Sequence, residues 1–223
     1  MTMIELKDID KYYGHGQSKV YALKGISLSI EEGEMVSIVG KSGSGKSSLL
    51  NIIGGLDTPD VGEYSFKGNK INGLNPNALA EFRGNNIGFI VQHFALIDDM
   101  TVFDNIALPL RYNRISDRKL KETVEYLLDQ MELSDKANSY PSQLSGGQCQ
   151  RVAIARGLAC NPSVLLADEP TGSLDEKTGL HILKIFKELN NKGITIIIVT
   201  HDDSIADSCK RVIRLSDGMI ISD

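Results

Sequence analysis

The run Gly40-Lys41-Ser42-Gly43-Ser44-Gly45-Lys46-Ser47 fits the spacing G-x-x-x-x-G-K-S/T at every fixed position. That spacing suits the cradling of a triphosphate. Successive backbone N–H groups of such a loop can point at one anion, helped by the N-terminus of a following helix. Glycines at 40, 43 and 45 allow close approach and positive φ. Lys46 can reach the β- and γ-phosphates, and Ser47, with Ser48 behind it, can offer a hydroxyl to Mg²⁺. Asp168 and Glu169 supply the acidic half of such a site. Asp168 suits a metal, directly or through a water, and Glu169 suits polarising the water that attacks the γ-phosphate. His201 can hydrogen-bond a γ-phosphate, and the Gln92 amide can touch both metal and water.

These residues need a scaffold that brings them to one edge. Met35–Val39, Ile87–Val91, Val164–Ala167 and Ile194–Val199 are apolar on both faces, as strands of a covered parallel sheet are. Gly40, Gln92, Asp168 and His201 all follow such runs, and ligands gather at strand C-termini in parallel α/β sheets. Lys46 onward, with Leu49, Leu50, Ile52 and Ile53, reads as a helix packed on that sheet. Ile4–Ile9 and Tyr21–Ile30 alternate apolar and polar residues, predicting antiparallel strands separated by the loop Tyr13-Gly14-His15-Gly16-Gln17. From Leu96 to Pro162 the pattern changes. Leu120, Val124, Leu127, Leu128 and Met131 recur at helical spacing, so this stretch reads as a mainly helical insert. Glu176–Asn191 predicts another helix, with Leu180, Leu183, Phe186 and Leu189 on one face. The charge run Arg118-Lys119-Leu120-Lys121-Glu122 reads as the solvated side of its helix.

The expected fold class is therefore α/β: a P-loop NTPase core with a parallel sheet, an N-terminal antiparallel β subdomain and an inserted α-helical subdomain. Residues 1–95 and 163–223 are assigned to the core and 96–162 to the insert, within a single domain of 223 residues. A net charge of −5 argues against a nucleic-acid partner. Cys149, Cys160 and Cys209 are too few and too far apart for a disulfide framework or a zinc site. Met1–Ile9 lacks the apolar core of a signal peptide, and no run approaches a membrane span. The strand-like Arg211–Leu215 and Met219–Ile221 lie close to the end, so no appended regulatory domain is expected.

Leu144-Ser145-Gly146-Gly147-Gln148 adds a second anion-binding helix start. With the phosphate loop, Gln92, Asp168-Glu169, Ser173-Leu174-Asp175 and His201, in this order, the chain resembles the ATP-binding cassette ATPases along essentially its whole length. The resemblance implies ATP and Mg²⁺ as ligands and a two-fold dimer in which Leu144–Gln148 of one copy caps the nucleotide on the other. It implies that Tyr13 stacks on adenine, with Tyr12 the neighbouring alternative, and that Ser173-Leu174-Asp175 crosses the dimer interface. Ser48, His93 and Cys149 depart from the commoner residues without removing a catalytic group; Cys149 is expected simply to pack in its helix. Tyr21–Gly25, Asn51–Asp57, Ile87–Phe89, Ala107–Leu110 and Ala167–Asp175 are most similar to the macrolide-exporter and lipoprotein-release group. That likeness implies a peripheral protein at the cytoplasmic face, held by an integral-membrane permease, with export or extraction of a peptide, macrolide or lipoprotein as the outcome. The alternative within the same group is a cell-division ATPase acting on cell-wall enzymes.

Overall fold

The computed structural model describes residues 1–14 and 16–223; His15, in the loop expected between the first two strands, lies outside the described residues. Strand β1 (Thr2–Tyr13) pairs antiparallel with β2 (Val20–Glu31). Ile4, Leu6, Ile9, Leu23, Ile26, Leu28 and Ile30 are buried while most residues between them are exposed, so the alternation marks a sheet with one covered face. β3 (Met35–Val39) is buried at all five positions and runs into the phosphate loop and then α1 (Lys46–Ile53). β4 (Val61–Phe66), β5 (Asn69–Lys70) and α2 (Pro76–Asn86) lead to β6 (Ile87–Ile90). The expected strand reached Val91, but pairing stops at Ile90 and Val91 is exposed.

Three helices follow: α3 (Val102–Tyr112), α4 (Asp117–Gln130) and α5 (Gly146–Leu158). Leu120, Val124, Leu127 and Leu128 are the buried side of α4, and Met131 caps it from a buried position. The charge run lies outside, with Arg118 Nε 3.0 Å from an exposed Glu122 carboxylate. β7 (Val164–Asp168), α6 (Glu176–Asn191), β8 (Thr195–Thr200), α7 (Asp203–Ala206), β9 (Arg211–Ser216) and β10 (Met219–Ser222) complete the chain. α6 has the expected bounds but a different inner face. Leu183, Phe186 and Leu189 are buried with Ile182, whereas Leu180 is 61% exposed. A repeat of three drifts around a helix of 3.6 residues per turn, so a run of four such positions cannot stay on one face and its first member leaves it.

One sheet has the order β2-β1-β4-β5 and the other β10-β9-β3-β8-β7-β6. In the second, β9, β3, β8, β7 and β6 are parallel and β10 is an antiparallel edge. Side chains alternate across its faces. Val36, Ile38, Leu166, Ile197 and Val199 pack with α1 and the first sheet. Met35, Leu165, Ala167, Ile196 and Ile198 join one continuous core with α3, α4, α5 and α6. Among the described residues, no helix is long and apolar enough to cross a membrane.

Candidate functional site

Register brings the polar residues to one edge. Val39 lies beside Thr200, Asp168 beside Val199, and Ile90 beside Ala167, so β3, β8, β7 and β6 end nearly level. The loops leaving these ends line a cavity of about 430 Å³ containing Ser42, Gly43, Gly45, Lys46, Ser47, Ser48, Gln92, Asp168, Glu169 and His201. Each had been singled out in the sequence. Ala22 of β2 also lines it; the Tyr21–Gly25 run that contains it carries no expected site role, because its place depends on how the two sheets stack.

The loop's shape requires glycine at two points. A Cβ at Gly40 would lie 2.3 Å from the Leu215 carbonyl oxygen and 2.5 Å from Ser44 Oγ. Gly45, the N-cap of α1, has φ +103°, and a Cβ there would lie 2.4 Å from the Ala22 carbonyl oxygen. The loop is also held from behind, since Gly218 N–H donates to the Ser44 carbonyl at 3.1 Å while the Gly218 carbonyl accepts from Lys24 N–H at 2.8 Å. Lys46 Nζ donates to the carbonyls of Gly40 (2.6 Å) and Lys41 (3.0 Å), which keeps the ammonium at the loop.

Glu169 carries the most constrained backbone of the site. Its φ of +47° lies in the left-handed region, which costs a residue with a Cβ about 1–2 kcal/mol. Its N–H donates to the Val199 carbonyl at 2.9 Å. The carboxylate Oε1 accepts from His201 Nδ1 at 2.7 Å, and Oε2 accepts from Thr200 Oγ1 at 3.4 Å. The strand end β8 therefore fixes both the backbone and the carboxylate of Glu169. Burial and the neighbouring Glu169 charge push the Asp168 carboxyl above its usual pKa, against the pull of Lys46. A half-buried carboxylate short of positive charge, beside the Ser47 hydroxyl and the Gln92 amide, is an all-oxygen donor set that fits Mg²⁺.

The remaining expected residues lie elsewhere. Tyr13 is exposed, and its hydroxyl donates to Asp57 Oδ2 at 3.0 Å. Asp57 also receives Lys11 Nζ at 2.7 Å, a partly buried network with no sequence-local signal. Tyr12 packs on Tyr21 at 5.7 Å and lies under Lys19. Ser145 is the N-cap of α5 and forms a capping box with Gln148: Gln148 N–H donates to Ser145 Oγ (3.3 Å) and Ser145 N–H to Gln148 Oε1 (2.8 Å). Leu144, Ser145, Gly146, Gly147 and Gln148 are absent from the lining of the phosphate-loop cavity. The two glycines sit instead against Leu174 and Thr178: Cβ atoms at Gly146 and Gly147 would lie 3.3 and 2.4 Å from these side chains. Asp175 caps α6 through Thr178 N–H at 3.0 Å, and Ser173 is exposed. Cys149 is buried, as expected, and burial raises its thiol pKa.

A phosphate loop, a half-buried carboxylate and a fixed second carboxylate at one parallel-sheet edge define a nucleoside-triphosphate-binding α/β protein. Residues 23–172 match the model of the family described as ABC transporter. The chain is 48% identical over 219 residues to an uncharacterised ABC transporter ATP-binding protein of Methanocaldococcus jannaschii, covering 98% of each. It is 45% identical to the macrolide export ATP-binding/permease protein MacB of Mannheimia succiniciproducens, covering all of this chain and 35% of that one. It thus spans about a third of the length of the macrolide exporters it matches. A solved dimeric ATP-binding cassette, MJ0796, in a post-hydrolysis state bound to ADP and Pi superposes with a TM-score of 0.91 at 45% identity, over 99% of this chain and 97% of that one. The chain belongs to the ABC transporter family, as an ATP-binding and ATP-hydrolysing cassette.

Proposed function

We propose that two copies of this chain bind two Mg·ATP at a shared interface and that closing and reopening of the pair drives an integral-membrane permease for export or extraction. The observation that carries this reading is the separation of two anion-ready helix starts. One, at Gly45, opens onto the cavity with Asp168 and Glu169; the other, at Ser145, contributes no residue to that cavity, and its Gly146 lies beside Leu174. A second copy supplies the missing cap. The dimeric form of the MJ0796 cassette supports this arrangement, and the macrolide exporters among the relatives support export.

In this reading Gly40, Lys41, Ser42, Gly43, Ser44, Gly45, Lys46, Ser47 and Ser48 hold the triphosphate, with Tyr13 under the adenine. Ser47, Asp168 and Gln92 hold Mg²⁺, which supplies charge neutralisation at the phosphates. Glu169 takes the proton of the attacking water, and the His201 hydrogen bond fixes the carboxylate's direction. Ser173, Leu174 and Asp175 join the two copies. Residues 96–162 move as a helical subdomain. The apolar groove between β6, α3 and α5, lined by Phe89, Leu108, Pro109 and Tyr112, receives the permease at the cytoplasmic face of the membrane.

The test is Glu169→Gln with saturating Mg·ATP, followed by sedimentation velocity and phosphate release. A trapped dimer with hydrolysis lowered about 10²-fold or more is expected. A variant that stays monomeric, or that hydrolyses at the parental rate, overturns the reading.

A further inference from the structure

Arg156 is a basic residue of α5 that the scheme above does not use. Its guanidinium is largely withdrawn from water, and burial lowers its pKa with no carboxylate offsetting the cost among the described residues. Its partners are two consecutive carbonyls: Nη2 donates to Phe94 O at 2.7 Å and Nη1 to Ala95 O at 2.5 Å. Phe94 and Ala95 have φ of +59° and +46°, so two residues with a Cβ stand side by side in the left-handed region. Such a pair persists only where its surroundings over-determine it. Phe94 N–H donates to Val91 O (3.0 Å) and Ala95 N–H to His93 O (2.6 Å), closing a tight turn around Gln92 and His93.

We propose that Arg156 is a positioning residue for hydrolysis: its fork clamps the turn after Gln92 and so keeps the Gln92 amide in the nucleotide cavity. This rests on the role given to Gln92 above. The guanidinium presents its two Nη donors to the two carbonyls in a fixed planar fork, whereas a lysine ammonium is a point charge on a flexible stem and fixes their spacing less. The clamp stands between two openings. Gln92 lines the nucleotide cavity, whereas Ala95 and Arg156 line the apolar groove of about 620 Å³. Arg156 lies in the last turn of the helix that Ser145 opens, so the turn after β6 is hydrogen-bonded to that helix.

Steady-state ATPase kinetics with thermal melts test this. Arg156→Ala is expected to lower kcat about tenfold or more while the KM for ATP, set at the phosphate loop, changes less than about twofold. Arg156→Lys remains impaired. Adding Ala95→Gly to Arg156→Ala restores part of the lost kcat, because glycine takes positive φ without penalty. If Arg156→Ala does not fold, Arg156→Lys with and without Ala95→Gly carries the same comparison. Parental kcat in the Arg156 variants overturns the clamp while leaving Gln92 untouched. A melt lowered in step with kcat and unrelieved by Ala95→Gly also overturns it, since Arg156 is then a fold support only. Parental kcat in Gln92→Ala overturns the underlying role of Gln92 and the clamp with it.

Discussion

His201 Nδ1 lies 2.7 Å from Glu169 Oε1, and the two residues leave neighbouring, in-register strand ends. The imidazole is mostly exposed while the carboxylate is mostly covered, so His201 is the adjustable partner and Glu169 the fixed one. Removing the imidazole leaves Glu169 with only the longer Thr200 contact at its other oxygen. His201→Ala is expected to lower kcat about 10²-fold with little change in ATP affinity, measured by phosphate release and equilibrium nucleotide binding.

Asp168 gives a stability prediction with a definite sign. Its pKa is raised in the folded chain, chiefly by burial. Folding therefore favours the protonated form; that contribution is full below the unfolded pKa and is lost as pH rises through the folded value. At neutral pH the ionised carboxylate costs stability. Asp168→Asn, melted in chelator without nucleotide, is expected to show a higher Tm than the parent at pH 7. The gap closes below about pH 4, where both chains are uncharged at this position. A Tm unchanged or lower at pH 7 contradicts the assignment. Hydrolysis is lost in the same variant.

Gly40→Ala has no room. The new methyl group meets a backbone carbonyl and a buried serine hydroxyl, neither of which is the far end of a flexible chain. The expected cost is about 1–3 kcal/mol in a denaturant titration, with nucleotide binding reduced. Lys46→Ala removes two bonds to loop carbonyls near the surface. It is expected to weaken ATP binding about tenfold or more while changing the melt far less than Gly40→Ala.

Mixing two dead chains tests where the cap comes from. Lys46→Ala spoils the phosphate loop, and Ser145→Ala spoils the helix start opposite; each alone is expected to hydrolyse little. Mixed one to one, a composite site forms from the sound loop of one chain and the sound cap of the other, and activity returns. No recovery on mixing counts against a site shared between copies. Ser145→Ala also loses its capping bond, at about 0.5–2 kcal/mol, so its melt is measured beside it.

Local patterns revealed the strands and helices whose burial is set by their own sequence. β3 is apolar on both faces because the sheet is covered on both, and α6 begins at the Asp175 cap and ends before Gly193 as the residues predict. The phosphate loop, Gln92, Asp168 and His201 each follow an apolar strand run, which is enough to bring them to one sheet edge. The region from Val61 to Asn86 was not legible, because α2 buries only Phe82 and its three-ring contact with Tyr64 and Phe66 joins distant segments. Leu180 was misplaced by a short repeat. The positive φ of Glu169 and the reach of Arg156 across 61 residues to Ala95 leave no trace in spacing, since tertiary contacts impose both.

The turn at Gly218 ties β2 to the back of the phosphate loop through two main-chain hydrogen bonds, yet no atom of that turn lines the nucleotide cavity. The terminal hairpin thus behaves as a buttress whose loss is felt at a distance. Cutting the chain before Asp217 is expected to leave every residue that lines the cavity in the sequence and still shorten the residence time of ATP.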